Sequence, residues 1–133
     1  MLTFVNLPVK DVAKTIDFFT TLGFSFNEQF SDENTSCMVF SYQAYAMLHA
    51  EPRFKAFAQQ DVTDTSQSRE VIIGLSADSK EQVDDLVDKA VGAGGQALGD
   101  AVDDGFMYMR AFRDLDGHQW SFIYMDMSAV AEK

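Results

Sequence analysis

The chain has 133 residues, 47% of them hydrophobic and 12 of them Phe, with a formal charge of −11 at pH 7. That is material for one packed domain and excludes a disordered chain. The charge repels phosphate backbones and anionic lipid, so neither nucleic acid nor a membrane surface is an expected partner.

No stretch reaches the roughly 18 apolar residues of a membrane span, and the opening MLTFVNLPVKD lacks the basic and long apolar regions of a signal peptide. A cytoplasmic protein is expected. The single cysteine, Cys37, leaves no internal disulfide and no cysteine-cluster metal site.

Taken in order, Phe4 to Val9 alternate as a strand does, with Val5, Leu7 and Val9 on one face and Phe4 and Asn6 on the other. A helix capped by Asp11 follows, its stripe Val12, Ile16, Phe19 and Leu22 ending at Gly23, before Phe24 to Phe26 return to strand. Cys37 to Phe40 and Tyr45 to Ala50 read as a hairpin. Pro52 suits the first turn of a short helix through Phe57, and Gln59 to Ser68 is a polar connection.

The pattern then repeats at an offset of 68 residues, with Ile73, Leu75 and Ala77 standing opposite Val5, Leu7 and Val9. Ser79 and Gln82 form a capping box, and Val83, Leu86, Val87 and Ala90 an apolar stripe that Gly92, Gly94 and Gly95 terminate. Phe106 to Phe112 and Gln119 to Met125 make the second hairpin, with turns at Asp104-Gly105 and Asp116-Gly117. The expected architecture is α+β: two tandem β-α-β-β-β modules, about 1–50 and 70–127, joined by 51–69 and followed by a tail, 128–133. Neither module can cover both faces of its sheet alone. Packed edge to edge they form a single domain, 1–133, with a cupped pseudo-symmetric mixed sheet around a shared hollow.

With F-V-N-L-P-V-K-D, D-F-F-T-T-L-G-F and D-L-D-G-H-Q-W-S-F-I in that order, the chain resembles the vicinal oxygen chelate superfamily, which groups glyoxalases, bleomycin-resistance proteins and extradiol dioxygenases. The resemblance implies a pocket in the cup and a homodimer. In metal-dependent members four strands each offer one ligand to an ion that chelates the substrate. Carried onto this chain, those positions fall at Phe4, Leu48, Ile72 and Ser121. Three have no donor and the fourth is a neutral hydroxyl, so no metal and no other cofactor is expected. A one-residue slip would bring His49 inward only by turning its whole strand over.

Arg110 sits inside an apolar strand, and a buried guanidinium needs a carboxylate or a bound anionic ligand, unless it lies exposed with its stem over Tyr108 or Phe112. Pointing inward it shares the Tyr108 face, with Asn6 and Ser121 adding polar contacts on the same side. Phe54 and Phe57, three apart on the connecting helix, cover the pocket mouth or meet a partner subunit. His49 is either a general base at the pocket edge or an outward histidine with one local hydrogen bond. His118 and the Asp114-Leu115-Asp116-Gly117 run read as a turn, not a calcium loop, since Gln119 and Met125 stand where that loop needs Gly and Glu. The methionines Met107, Met109, Met125 and Met127 either line an adaptable pocket or fill the core.

Two functional classes follow. One is a binding module of the bleomycin-resistance sort that holds a small organic molecule in the cup through Asn6, Tyr108, Arg110, Ser121, Phe54 and Phe57. The other is an enzyme, by resemblance a lyase like lactoylglutathione lyase or a dioxygenase, with a displaced metal site or a metal-free set such as His49, Tyr108 and Arg110. A purely structural dimer leaves Arg110 without a reason.

Overall fold

The computed structural model describes residues 1–126 and Ser128, so Met127 and the tail beyond Ser128 lie outside the described residues. The chain divides into two compact units, Met1–Asp64 and Thr65 onward, a boundary inside the connecting segment read from the sequence. No helix among the described residues is long and apolar enough to cross a membrane.

The first unit runs β1 (Thr3–Val9), α1 (Val12–Thr21), β2 (Ser25–Phe26), a 3-10 turn at Glu28–Phe30, β3 (Thr35–Ser41), β4 (Ala44–Ala50) and α2 (Glu51–Ala58). Its sheet has the order β1-β4-β3-β2, with β1 parallel to β4 and the other pairs antiparallel. The Asp11 carboxylate accepts from the Lys14 N–H at 3.0 Å and so starts α1. Gly23, at φ 102°, takes the left-handed turn after it.

Leu7, Val9, Ala46, Leu48 and Met38 share one sheet face and are buried, as are Phe18, Phe19 and Leu22 of α1. The other face carries Phe4, Asn6, Tyr45, Met47, His49, Thr35 and Cys37. Helix α2 follows β4 without a loop, places Pro52 in its first turn, and touches β1 and β4.

The second unit repeats the order with β5 (Ile72–Ser76), α3 (Lys80–Gly92), β6 (Gln96–Asp103), β7 (Met107–Arg113) and β8 (Gln119–Met125), in a sheet β5-β8-β7-β6. The Ser79 hydroxyl accepts from Gln82 N–H as a capping box requires, but the Gln82 side chain reaches back to the Asp78 N–H at 2.6 Å, one residue beyond the cap. Ile73, Phe112, Trp120 and Phe122 share a face and are buried with Val83, Val87 and Ala90 of α3.

The sequence reading gave no residues for two elements, the second of them a strand that the β-α-β-β-β pattern of the second module requires. The 3-10 turn is three residues long, and β6 is an exposed edge strand whose register shifts between Leu98 and Val102, around Gly99 at φ 64°. Neither carries the clean apolar alternation that marks the other strands.

Candidate functional site

The second face of the first unit's sheet holds an open pocket of about 630 Å³ lined by Asn6, His49, Phe54, Phe57 and Ala58. Strand pairing builds its floor. Because β1 and β4 are parallel with Asn6 opposite Met47 and Pro8 opposite His49, Asn6 and His49 project from the same side, and their side chains meet at 2.8 Å. Helix α2 supplies the wall: Phe54 and Phe57 are three apart and face one way, and Phe57 sits edge-on to the His49 ring at 5.3 Å.

His49 is 4% exposed and engaged at both ring nitrogens, Nδ1 with Thr35 Oγ1 at 2.8 Å and Nε2 with Asn6 Oδ1 at 2.8 Å. The proton can be assigned from the surrounding groups. Arg53 Nη1 donates to Thr35 Oγ1 at 3.0 Å and to Asp32 Oδ2 at 2.8 Å, and a guanidinium accepts nothing. The Thr35 hydrogen therefore goes to Nδ1, which leaves the ring proton on Nε2, donated to Asn6. Burial lowers the His49 pKa and the Arg53 charge adds to the effect, while Asp32 opposes both. The imidazole is neutral at pH 7. The Asn34 N–H and then Arg53 hold the Asp32 carboxyl below its usual range.

This placement corrects two expectations. Leu48 is not on the face of Phe4: Leu7 pairs with Leu48 in the core, whereas Phe4 pairs with and stacks on Tyr45 at 5.4 Å. The residue of β4 that joins Asn6 is His49, brought there by the native register without any slip. Nor is His49 an outward histidine with one bond. It is buried with two.

In the second unit Ile72 and Ser121 share a face, since Ile72 pairs with Gln119 and Gly74 with Ser121. Tyr108 and Arg110 point to the opposite side, because Arg110 pairs with Phe122 and Tyr108 with Tyr124. Ser121 thus cannot add a polar contact beside them, as the sequence reading expected: side chains alternate along β8, and Ser121 follows the buried Trp120. Arg110 Nη1 meets Asp84 at 3.2 Å and Asp88 at 3.1 Å, and the Tyr108 hydroxyl donates to Asp84 at 2.7 Å. Those carboxylates lie four apart on α3. Partial burial works against the Arg110 charge, but its bonds to Asp88 and Asp84 outweigh it and hold the guanidinium above its usual pKa. The Asp84 bond also raises the Tyr108 phenol.

His118, read as a turn residue, is 1% exposed, and its Nδ1 lies 2.6 Å from Glu70. The neighbouring Asp114 carboxylate is filled by the N–H groups of Asp116, His118 and Trp120, at 2.9, 3.0 and 2.9 Å. Burial raises its pKa despite these donors. The run is a hairpin turn. Cys37 is buried and free, and burial pushes its thiol pKa up.

The metal of the resembling enzymes finds no fitting donors here. Among the described residues no three His, Cys, Asp or Glu side chains group so as to hold an ion. The matching strand faces offer Phe4, Ile72, the Ser121 hydroxyl and an imidazole already bonded at both nitrogens. Thr35, Arg53 and Asp32 were missed as site residues. Only the even-numbered partnership of Asn6 with Phe4 hinted at this face, and the register that adds His49 is not written in either strand.

Two β-α-β-β-β units of equal strand order define a tandem-module α+β protein with a pocket on the sheet face opposite its packing helix. The family model for the Glyoxalase/Bleomycin resistance protein/Dioxygenase superfamily matches residues 2–122, and the chain belongs to that superfamily. Among solved structures it is similar to the hypothetical protein SA1046 from S. aureus, at 30% identity over 91% of both chains with a TM-score of 0.80. A glyoxalase/bleomycin resistance protein/dioxygenase family enzyme from Burkholderia phytofirmans PsJN aligns at 18% identity over 92% of this chain and 96% of that one, with a TM-score of 0.79. The fosfomycin resistance protein FosX from Listeria monocytogenes aligns at 19% identity, over 93% and 90%, with a TM-score of 0.67. The last two likenesses speak for the fold alone. No curated protein matches the chain.

Proposed function

We propose that the protein, a single domain of two modules, is a binding module that holds a small, partly aromatic organic molecule against Asn6, His49, Phe54 and Phe57. The observation that carries this reading is the first unit's open pocket of about 630 Å³, a volume of small-molecule size, with ring walls and one polar end. The only imidazole there has its lone pair at Nδ1 taken by Thr35, so it is built to orient a neighbour and not to remove a proton. On this reading Tyr108 and Arg110 serve to hold α3, and the buried Ser121 of β8 has no part in the pocket. The lyase or dioxygenase alternative finds no donor set to support it in these residues.

The reading extends to a homodimer in the cytoplasm, supported by the superfamily fold and by the one cysteine being free and buried. Titration of ¹⁵N-labelled protein with uncharged monocyclic aromatics should move the Asn6 side-chain amide and the backbone signals of Phe54 and Phe57 together. Saturating probe without movement at those three positions overturns the binding reading. Light scattering on the eluting peak checks the dimer.

A further inference from the structure

We propose that the polar end of this pocket selects an uncharged ring compound carrying a carbonyl, or an equivalent hydrogen-bond acceptor, and that Thr35 and Arg53 are the positioning residues that impose this choice. The inference rests on the binding reading above and adds the chemistry of the ligand. Arg53 donates both to the Asp32 carboxylate at the surface and to Thr35, and from Arg53 the hydrogen bonds run in one direction through Thr35 and His49 to the Asn6 amide at the pocket. Each hydrogen in it has one acceptor to serve.

Arg53 forces the Thr35 hydrogen onto Nδ1, Nδ1 forces the ring proton onto Nε2, and Nε2 engages Asn6 Oδ1. The amide is thereby fixed with its oxygen toward the imidazole. Its Nδ2 makes only a 3.5 Å contact with the Phe4 carbonyl, at the limit of a hydrogen bond, and Asn6 is exposed. The pocket therefore presents an N–H donor beside aromatic walls.

Anions are disfavoured on two counts. The nearest guanidinium is already neutralised by Asp32 at 2.8 Å, and the chain's net charge of −11 opposes their approach. An ammonium would meet the hydrogens of Nδ2 and not an acceptor. A flat ring with a carbonyl satisfies both the walls and the donor.

Two measurements test this, one of them without any ligand. Long-range ¹H–¹⁵N spectra of the histidine rings at pH 7 should show His49 as the neutral Nε2–H tautomer. Thr35→Val should blur that pattern toward a mixture of tautomers, and Thr35→Ser should restore it. A ring protonated at Nδ1 in the unaltered protein overturns the relay whatever the pocket binds.

The second measurement titrates the protein with acetophenone, ethylbenzene, benzoate and benzylamine, following the Asn6 side-chain amide. Acetophenone should bind about tenfold more tightly than ethylbenzene, the worth of one hydrogen bond to a donor that a bound ligand covers and ethylbenzene would leave unpaired. Asn6→Leu should reverse that order, and benzoate and benzylamine should bind more weakly than acetophenone. Equal binding of acetophenone and ethylbenzene overturns the selection while leaving the binding reading intact. Binding of none of the four, with the tautomer as expected, overturns the binding reading and this proposal with it.

Discussion

The two units share strand order and helix position, yet they put their main hydrogen-bonded side-chain clusters on opposite faces of the sheet. In the first unit α1 is held by a greasy face, Leu7, Leu48 and Met38 among Phe18, Phe19 and Leu22, and the polar set Asn6, His49 and Thr35 occupies the face behind it. In the second an ion-paired set is on the helix side, where Tyr108 and Arg110 meet Asp84 and Asp88, and the face behind carries Met107, Met109, Ala111 and Ile123 together with Arg113, Gln119 and Ser121. Strand parity alone makes the difference. A polar residue one place along a strand is moved from a helix clamp to the pocket face, so one architecture can carry a lined pocket in one half and a helix clamp in the other.

The largest effect should come from what the units have in common, helix-to-sheet packing. Phe19 and Phe112 are both fully buried, and replacement of either by Ala should cost about 3–5 kcal/mol in urea denaturation. A loss under about 1 kcal/mol for one but not the other would show that the halves are not held alike.

Next comes the turn that only the second unit ties down with its connecting segment. Gly117 has φ 82°, and a Cβ there would run into the Thr65 hydroxyl, which donates to the Asp116 carbonyl. Gly117→Ala should cost about 1–3 kcal/mol. Gly105→Ala, at φ 96° in open space, should cost less, and equal losses would make the Thr65 contact irrelevant.

The polar set of the first unit should show itself in pH. His49 has a folded pKa below its ordinary 6.5, so the unfolded chain binds the proton more readily. Its contribution to stability is present above pH 6.5 and is lost as pH falls below that value toward the depressed folded pKa. Denaturation midpoints measured from pH 7.5 to 5 should fall more steeply for the natural chain than for His49→Asn.

Two smaller effects separate the faces further. The buried Ser36 hydroxyl, on the helix face of β3, has no hydrogen-bond partner among the described residues, so Ser36→Ala should raise stability by about 1 kcal/mol. Arg110→Met breaks two ion pairs whose carboxylates are 47% and 70% exposed, and should cost no more than about 1 kcal/mol. It should leave acetophenone binding unchanged. A loss of that binding would place Arg110 in the site after all.

Much of the fold was legible because it rests on local signals. Asp11 and Ser79 cap the helices that follow them, Gly23 ends the first, and β8 has the predicted limits Gln119–Met125. The site was legible only in pieces. Asn6 could be set opposite Val5 and Leu7, and Phe54 and Phe57 could be set on one side of a helix, because each statement concerns one element. That Asn6 meets His49 needs the register of two strands forty residues apart, and the resemblance set Leu48 there instead. Arg110 was rightly seen to need a partner, but Asp84 and Asp88 lie on a helix whose rotation over the sheet the strand says nothing about.

By itself, then, the sequence determined the repeat, the element order, the helix caps and the residue alternation within each strand, since these depend on neighbours a few bonds away. Tertiary structure decided which alternating set faces the helix, which carboxylates meet Arg110, and the five-residue relay that turns His49 from a spare side chain into the orienter of Asn6. Those outcomes depend on strand register and helix placement, which are set by the packing of the whole core and not by any one segment of it.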